Sequence, residues 1–398
     1  MCRVIVNALS VTNQSGLHVL AGHLGQLVPR LCGTCGFSVL IREDMAVLKH
    51  LFEGQVAWIA APACTARWFP RTVWERLHLA RISRRTGARA YFTPSGIAAF
   101  LPGIPQVVFC QNPWALVPEA RRWQDGIKAW LQRRAYRRSM TTAAVMVFNS
   151  HFMQAAYREN AGRTERRGLV VYQAADDETR RRMEQWRNRP RKPGQILCVS
   201  AMGPHKNVES LVLAFDKLVH HRHPGAGSGH RPPVDELVLH LVGSWPDPAY
   251  ARNVRALVTS LGLETRVRFA GFVSREELDR LYAESRVFCL MSRCESFGIP
   301  AIEAQVFGTP VVSSNVCAVP EVCGDGGLFL DPDDIEGIAA ALERLLTDDV
   351  EWRRLSVQAS RNAGKYTWER CSAPLVDLFA GLLHAGVIPG KEPPCALP

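Results

Sequence analysis

Twice along these 398 residues, short β-type runs alternate with stretches of helical periodicity, and that alternation restricts the chain to parallel sheets with crossover helices. In the first half the β-type runs are 4–9, 56–60, 89–93, 106–110, 144–149 and 168–172, with helical stretches at 17–31, 73–85 and 121–139. In the second half they are 195–200, 237–243, 267–270, 287–291, 310–313 and 327–329, with helical stretches at 208–219 and 300–307. A polar, proline-bearing segment, 187–194, separates the halves and reads as a linker. The expected fold class is α/β: two doubly wound, Rossmann-like domains, 1–190 and 191–365, facing one another across a cleft at the carboxyl ends of both sheets. Length agrees, because 398 residues exceed one comfortable core.

An apolar fraction of 47% is that of a globular protein. No apolar run reaches membrane-spanning length, and the first residues enter a strand without a signal-peptide pattern, so a cytoplasmic location is expected. The twelve cysteines then read as reduced, small core residues. Cys32 and Cys35 have the spacing of a redox or zinc pair but lack a second pair nearby, and His220, His221, His223 and His230 sit in a Gly/Pro/Ser-rich stretch that reads as a surface loop. Neither favours a metal. Charge is uneven: residues 1–190 carry +15 and residues 191–398 carry −4, within the total of +11. The basic half seeks an anionic partner.

The chemistry concentrates between Glu295 and Glu303, in Glu-Ser-Phe-Gly-Ile-Pro-Ala-Ile-Glu. The β-type run 287–291 precedes it and helical spacing begins at Pro300, so residues 295–299 are expected to form a strand-to-helix turn. The backbone N–H groups of Phe297, Gly298 and Ile299 at such a helix mouth, together with the helix dipole, make a seat for a diphosphate. Gly298 lets the backbone approach it. Glu295 is placed to accept from sugar hydroxyls and Glu303 from a ribose; the plainer alternative makes both glutamates solvated charges. Lys206, in the loop between the run 195–200 and the helix 208–219, can hold a diphosphate leaving group by charge; its plainer reading is an exposed loop lysine. Because Lys206 and these amides neutralise the leaving group, no metal or other cofactor is required. Asp331, Asp333 and Asp334 read as a helix start.

The block from Val287 to Asp331 resembles the donor-binding signature of the retaining glycosyltransferases of family 4, the glycosyl transferases group 1 family, whose fold is GT-B. The resemblance implies transfer of a sugar from a nucleotide-diphosphate donor to an acceptor hydroxyl, in bacterial polysaccharide, lipopolysaccharide or other glycoconjugate synthesis. It implies that Ser15 and Gly16 match a small-residue loop whose backbone meets the donor phosphate or the acceptor; a serine cap with a glycine turn remains the plain reading. It also places Gln111 or Asn112 where many members carry a histidine against the donor sugar. Here an amide can hydrogen-bond hydroxyls but cannot act as a base. Ala201 stands where the family keeps an arginine, so one of two cations is absent. His151 reads as a loop residue near the acceptor. Residues 366–388 resemble the family's last helix, which crosses back to the first domain, and 389–398 read as a tail.

The stretch from Arg121 to Ser139 carries Trp123, Ile127, Trp130 and Leu131 at helical spacing among seven basic residues. It reads either as an anionic-membrane contact, suited to a saccharide or lipid-linked acceptor, or as a core stripe with a solvated arginine face. Two other function classes compete with sugar transfer. A nucleic-acid-binding protein rests on basic charge alone, with no nucleic-acid motif and no nucleic acid expected. A nucleotide-sugar hydrolase or epimerase of the same fold would consume donor without an acceptor.

Overall fold

The computed structural model describes residues 2–11, 14–45, 52, 54–118, 125–162, 168–186, 188–220 and 232–385. Contacts divide the chain into two compact units: Met1–Leu116, Trp123–Ala174 and Thr367–Pro398 form the first, Val117–Arg122 and Ala175–Tyr366 the second.

The first unit runs β1 (Cys2–Asn7), α1 (Gln14–Leu31), β2 (Cys35–Arg42), β3 (Ala57–Ala61), α2 (Trp68–Thr86), β4 (Ala88–Thr93), β5 (Gln106–Cys110), α3 (Gly126–Thr142), β6 (Val145–Phe148), α4 (His151–Ala161) and β7 (Gly168–Val170). Its seven strands lie in the order β3-β2-β1-β4-β5-β6-β7, every pair parallel. β2 is absent from the runs read in the sequence. Gly36 and Ser38 interrupt its apolar character, and the strand is buried almost throughout, so it lacks the alternation that marks a half-exposed strand. Its core gathers Ile5, Leu40 and Tyr91 in one cluster and Tyr136, Phe148 and Tyr157 in another.

The second unit runs α5 (Asp177–Trp186), β8 (Lys192–Val199), α6 (Val208–His220), β9 (Val238–Val242), α7 (Pro248–Ser260), β10 (Val267–Gly271), α8 (Arg275–Glu284), β11 (Ser285–Leu290), α9 (Ile299–Val306), β12 (Val311–Ser314), α10 (Val319–Cys323), β13 (Gly327–Leu330), α11 (Ile335–Thr347) and α12 (Asp349–Ala363). The sheet order is β10-β9-β8-β11-β12-β13, again parallel. This is the doubly wound order, whose direction reverses between β8 and β11; the loops leaving those strands therefore open a crevice at their carboxyl ends. β11 and β12 are fully buried. The division at Ala174/Ala175 falls ahead of the segment 187–194, since Arg180 of α5 donates to the carbonyls of Ala363 (2.7 Å) and Tyr366 (2.8 Å).

The last helix, α13 (Trp368–Ala385), belongs to the first unit. It lies on α1, where His23 Nδ1 meets Ser372 Oγ at 2.9 Å and Trp368 stands edge-on to the His23 ring. Residues 389–398, the expected tail, lie outside the described residues.

The helix expected from Arg121 begins, among the described residues, at Gly126, and Arg121, Arg122 and Trp123 lie outside them. Its aromatic stripe is not core: α3 buries Ala129, Tyr136, Ser139 and Met140 and exposes Ile127, Trp130 and Leu131.

Candidate active site

Lys206 and Glu295 meet at the reversal point of the second sheet. After β8 the chain stays paired with the β9 side, Ser200 N–H donating to the Val242 carbonyl (3.0 Å) and Met202 N–H to that of Ser244 (2.7 Å). A 3-10 turn over Pro204–Lys206 follows, closed by Asn207 in the left-handed region at φ 51, which asparagine tolerates. Asn207 is pinned in place: its Nδ2 donates to the Pro332 carbonyl at 2.8 Å and its Oδ1 accepts from Ser210 Oγ at 2.9 Å. The segment after β11 is tied to this turn by Arg293 N–H, which donates to the His205 carbonyl at 2.8 Å. Glu295 in turn accepts at its carbonyl from Ala318 N–H (3.2 Å).

The result is a direct hydrogen-bonded ion pair, Lys206 Nζ donating to Glu295 Oε2, with the side chains 12% and 16% exposed. Burial by itself lowers an ammonium pKa; the charge and hydrogen bond of Glu295 outweigh it, with smaller help from Cys294 and Cys317, and hold Lys206 above the ordinary lysine value. Beside it the His205 imidazole is pushed down to about 4, by burial first and the Lys206 charge second, so it is neutral at physiological pH. One carboxylate oxygen holds one ammonium proton, leaving acceptor sites on Glu295 and donors on Lys206 for a ligand.

The turn 295–299 forms as read. Gly298 caps α9 at φ 97 and ψ 49, a conformation that disfavours a side chain, and a Cβ there would stand 3.0 Å from Val319 Cγ2. Ile299 opens α9 with Pro300 in the first turn. The Phe297 ring is buried edge-on to Tyr366.

Glu303 is less available than the sequence reading has it. Its Oε1 accepts from Arg275 Nη1 at 2.9 Å and its Oε2 from Tyr282 Oη at 3.0 Å. Arg275 is itself braced by Asp279 (3.0 Å) and Thr179 Oγ1 (2.6 Å), and Asp279 also takes Arg182 at 2.6 Å. Burial above all, then the Glu303 charge, holds the Tyr282 phenol well above its usual range. Sequence reasoning missed Arg275 and Tyr282: they reach Glu303 from α8, and only the spacing of Arg275 and Asp279 on one helix face is visible in the chain.

In the first unit, Ser15 and Gly16 fall inside α1, which begins at Gln14, so Ser15 is not the helix cap; residues 12–13 and the Ser15 side chain lie outside the described residues. Gln111 is half-buried and Asn112 exposed just past the carboxyl end of β5, and Asn112 Oδ1 accepts from Trp114 N–H at 3.0 Å. His151 opens α4 rather than lying in a loop, behind the Ser150 cap. Ala201 is exposed. Asp334 caps α11, accepting from Gly337 N–H at 2.9 Å, so the aspartates after β13 start a helix as expected, while Asp333 pairs with Arg293. Among the described residues no group of three His, Cys, Asp or Glu is placed to hold a metal ion. His221, His223 and His230 lie outside them.

The sequence profile of the family described as Glycosyl transferases group 1 matches residues 179–366, which is the second unit almost end to end. The second unit belongs to that family. Escherichia coli O-antigen chain mannosyltransferase B is 34% identical to the chain over 190 residues, 47% of this chain and 45% of the relative. The D-inositol 3-phosphate glycosyltransferase of Corynebacterium diphtheriae is 28% identical over 329 residues, 72% of this chain and 75% of the relative. The chain thus spans less than half the length of the first of these relatives. In three dimensions the chain matches Anabaena HepE, solved with UDP and glucose, at a TM-score of 0.69 and 17% identity, covering 96% of this chain and 100% of that one. It matches Thermosynechococcus elongatus sucrose-phosphate synthase at 0.70 and 18% identity, covering 96% and 99%. The fold is GT-B.

Proposed function

We propose that the chain is a retaining glycosyltransferase, moving a sugar from a nucleoside-diphosphate donor to an acceptor hydroxyl. The observation that carries the reading is the Lys206–Glu295 pair beside the mouth of α9, at the reversal point of the second sheet. In this role Glu295 accepts from hydroxyls of the transferred sugar, while Lys206 and the amides of Phe297, Gly298 and Ile299 carry the diphosphate. Glu303 takes the ribose with the lone pairs that Arg275 and Tyr282 leave. Ser15, Gly16, Gln111 and Asn112 keep, in this proposal, the donor-contact roles that the family resemblance implies for them.

Retention follows from attack on the leaving-group face: the bond from the anomeric carbon to the phosphate oxygen breaks, the acceptor oxygen bonds the same face, and the departing phosphate oxygen takes the acceptor proton. Such a step needs no protein base at Gln111 or Asn112, and Lys206 with the helix-mouth amides supplies the charge that a metal would otherwise bring. The relatives named as O-antigen and serotype-specific mannosyltransferases support a polysaccharide, lipopolysaccharide or other glycoconjugate as product and put mannosyl transfer first among those to try. The bound UDP of HepE supports a nucleotide sugar as donor. A saccharide or lipid-linked acceptor agrees with cytoplasmic protein peripheral on an anionic membrane through α3. No helix among the described residues is long and apolar enough to cross one.

The test is incubation of the chain with UDP, GDP and ADP sugars, with and without saccharide acceptors. Acceptor-dependent release of nucleoside diphosphate supports transfer. Consumption of donor without acceptor would make the chain a hydrolase or epimerase instead.

A further inference from the structure

Exposed apolar side chains and arginines from three segments of the first unit come together on one surface. On α3, Ile127 (79% exposed), Trp130 (60%), Leu131, Arg134 and Arg138 follow at spacings that make a single helical stripe. On α2, Phe69 (62% exposed), Val73, Arg76 and Leu77 (70%) make a second. Phe100, 62% exposed between β4 and β5, joins them: the guanidinium of Arg76 lies 5.6 Å from its ring centroid and that of Arg138 5.8 Å. Next to this junction Ile97, Leu131, Arg134 and Arg138 line an open depression of about 600 Å³.

Scattered exposed apolar residues are ordinary, whereas large ones gathered from three segments mark a contact surface. Its charge names the partner. The sequence of α3 contains no acidic residue, and Glu75, the one acid of α2, turns inward to accept from Asn7 Nδ2 at 2.7 Å. Arg133 is held by Asn160 at 3.0 Å, whereas Arg137, which also donates to the Asn160 carbonyl at 2.7 Å, lines the depression together with Arg134 and Arg138. Apolar and cationic side chains interleave along both helices. A bilayer interface meets that pattern, taking Trp, Phe and Leu at the headgroup–acyl boundary and arginine at the lipid phosphates. A nucleic-acid backbone would answer the arginines and leave Ile127 and Leu77 in water.

We propose that the α2–Phe100–α3 face seats the first unit on an anionic lipid bilayer. This deepens the membrane part of the function proposed above and adds α2 and Phe100 to it, but stands on surface chemistry and not on sugar transfer.

Co-sedimentation of the full chain with vesicles tests it, using phosphatidylcholine alone and phosphatidylcholine with increasing phosphatidylglycerol. Binding is expected to require the anionic lipid and to weaken with salt. The paired variants Ile127→Ser with Trp130→Ser, and Arg134→Glu with Arg138→Glu, are each expected to lower partitioning about tenfold or more. Arg252→Glu, on α7, is expected to leave it unchanged. All these side chains are exposed, and unchanged circular dichroism confirms that the variants fold. Equal sedimentation with both lipids, no sedimentation, or indifference to both pairs overturns the proposal. So does release by inorganic phosphate at constant ionic strength, preference for an RNA homopolymer, or a solution dimer that the same variants dissociate. Nucleotide-sugar binding, measured without vesicles, reports separately on the transfer reading.

Discussion

Lys206 Nζ donates to the Glu295 carboxylate across 89 positions of sequence, joining the loop after β8 to the loop after β11. Each loop could place its charge independently; here the Arg293-to-His205 backbone bond and the Asn207-to-Pro332 bond fix both to one rim. The pair keeps the site near neutral before a ligand enters. In the proposed reaction a diphosphate arriving there would draw Lys206 toward itself and release Glu295 to sugar hydroxyls.

Removing either partner separates these roles. Lys206→Ala is expected to lower kcat by about a hundredfold to a thousandfold, the loss typical of a group that stabilises developing charge. Glu295→Gln keeps an acceptor and is expected to lose less than Glu295→Ala. Single-turnover rates on folded variants check both.

The Glu303 network makes a stability prediction as well as a functional one. Arg275→Ala leaves the Glu303 carboxylate with Tyr282 alone, and is expected to destabilise the second unit by about 2 kcal/mol, below the cost of breaking a fully buried pair because Arg275 is partly exposed. Glu303→Ala should cost more and also raise the donor KM. Urea unfolding gives the first number and steady-state kinetics the second. Wild-type stability in Arg275→Ala would show that the guanidinium is not holding the helix.

Gly243 is the backbone position on which the Lys206 loop most depends. It sits at φ 128, and a Cβ would fall 1.9 Å from the Ser200 carbonyl oxygen. Gly243→Ala must push that loop away, with an expected cost on the order of 3 kcal/mol and a parallel loss of donor affinity. Thermal unfolding with and without nucleoside diphosphate measures both.

Low pH should weaken the first unit through His23. Burial pushes its imidazole pKa down to about 3, against 6.5 when unfolded, so between those values the unfolded chain binds a proton that the folded chain refuses. Its contribution is complete above pH 6.5 and falls as pH drops through that window, by about 1.4 kcal/mol between pH 7.5 and 5.5. His23→Leu removes this dependence. The stability gap between wild type and variant is therefore expected to narrow by that amount on acidification, and parallel curves would contradict the assignment.

Much of this was legible in the sequence, for identifiable reasons. The apolar runs of β8, β11 and β12 read as strands because strands buried on both faces of a parallel sheet are short, near-continuous apolar runs, and the Glu295–Glu303 turn read as a helix mouth because Gly298 and Pro300 punctuate it. β2 escaped notice because Gly36 and Ser38 break its run. On α3 the usual rule inverts: small Ala129 and Ser139 go inward with Tyr136, and the larger Trp130 and Ile127 go outward, so periodicity located a face without saying which way it points. The partners of Glu303 were out of reach, because Arg275 meets it only through the packing of α8 against α9, 28 positions away in sequence.

Calorimetric titration of the chain with UDP, GDP and ADP and their sugars, repeated on Lys206→Ala and Glu295→Ala, tests the roles of this pair directly. One base is expected to be preferred and its diphosphate to bind wild type; Lys206→Ala is expected to weaken the diphosphate, and Glu295→Ala to weaken the sugar nucleotide more than the diphosphate alone. Equal affinity of wild type and Lys206→Ala for every diphosphate, or no binding of any sugar nucleotide, would contradict these roles.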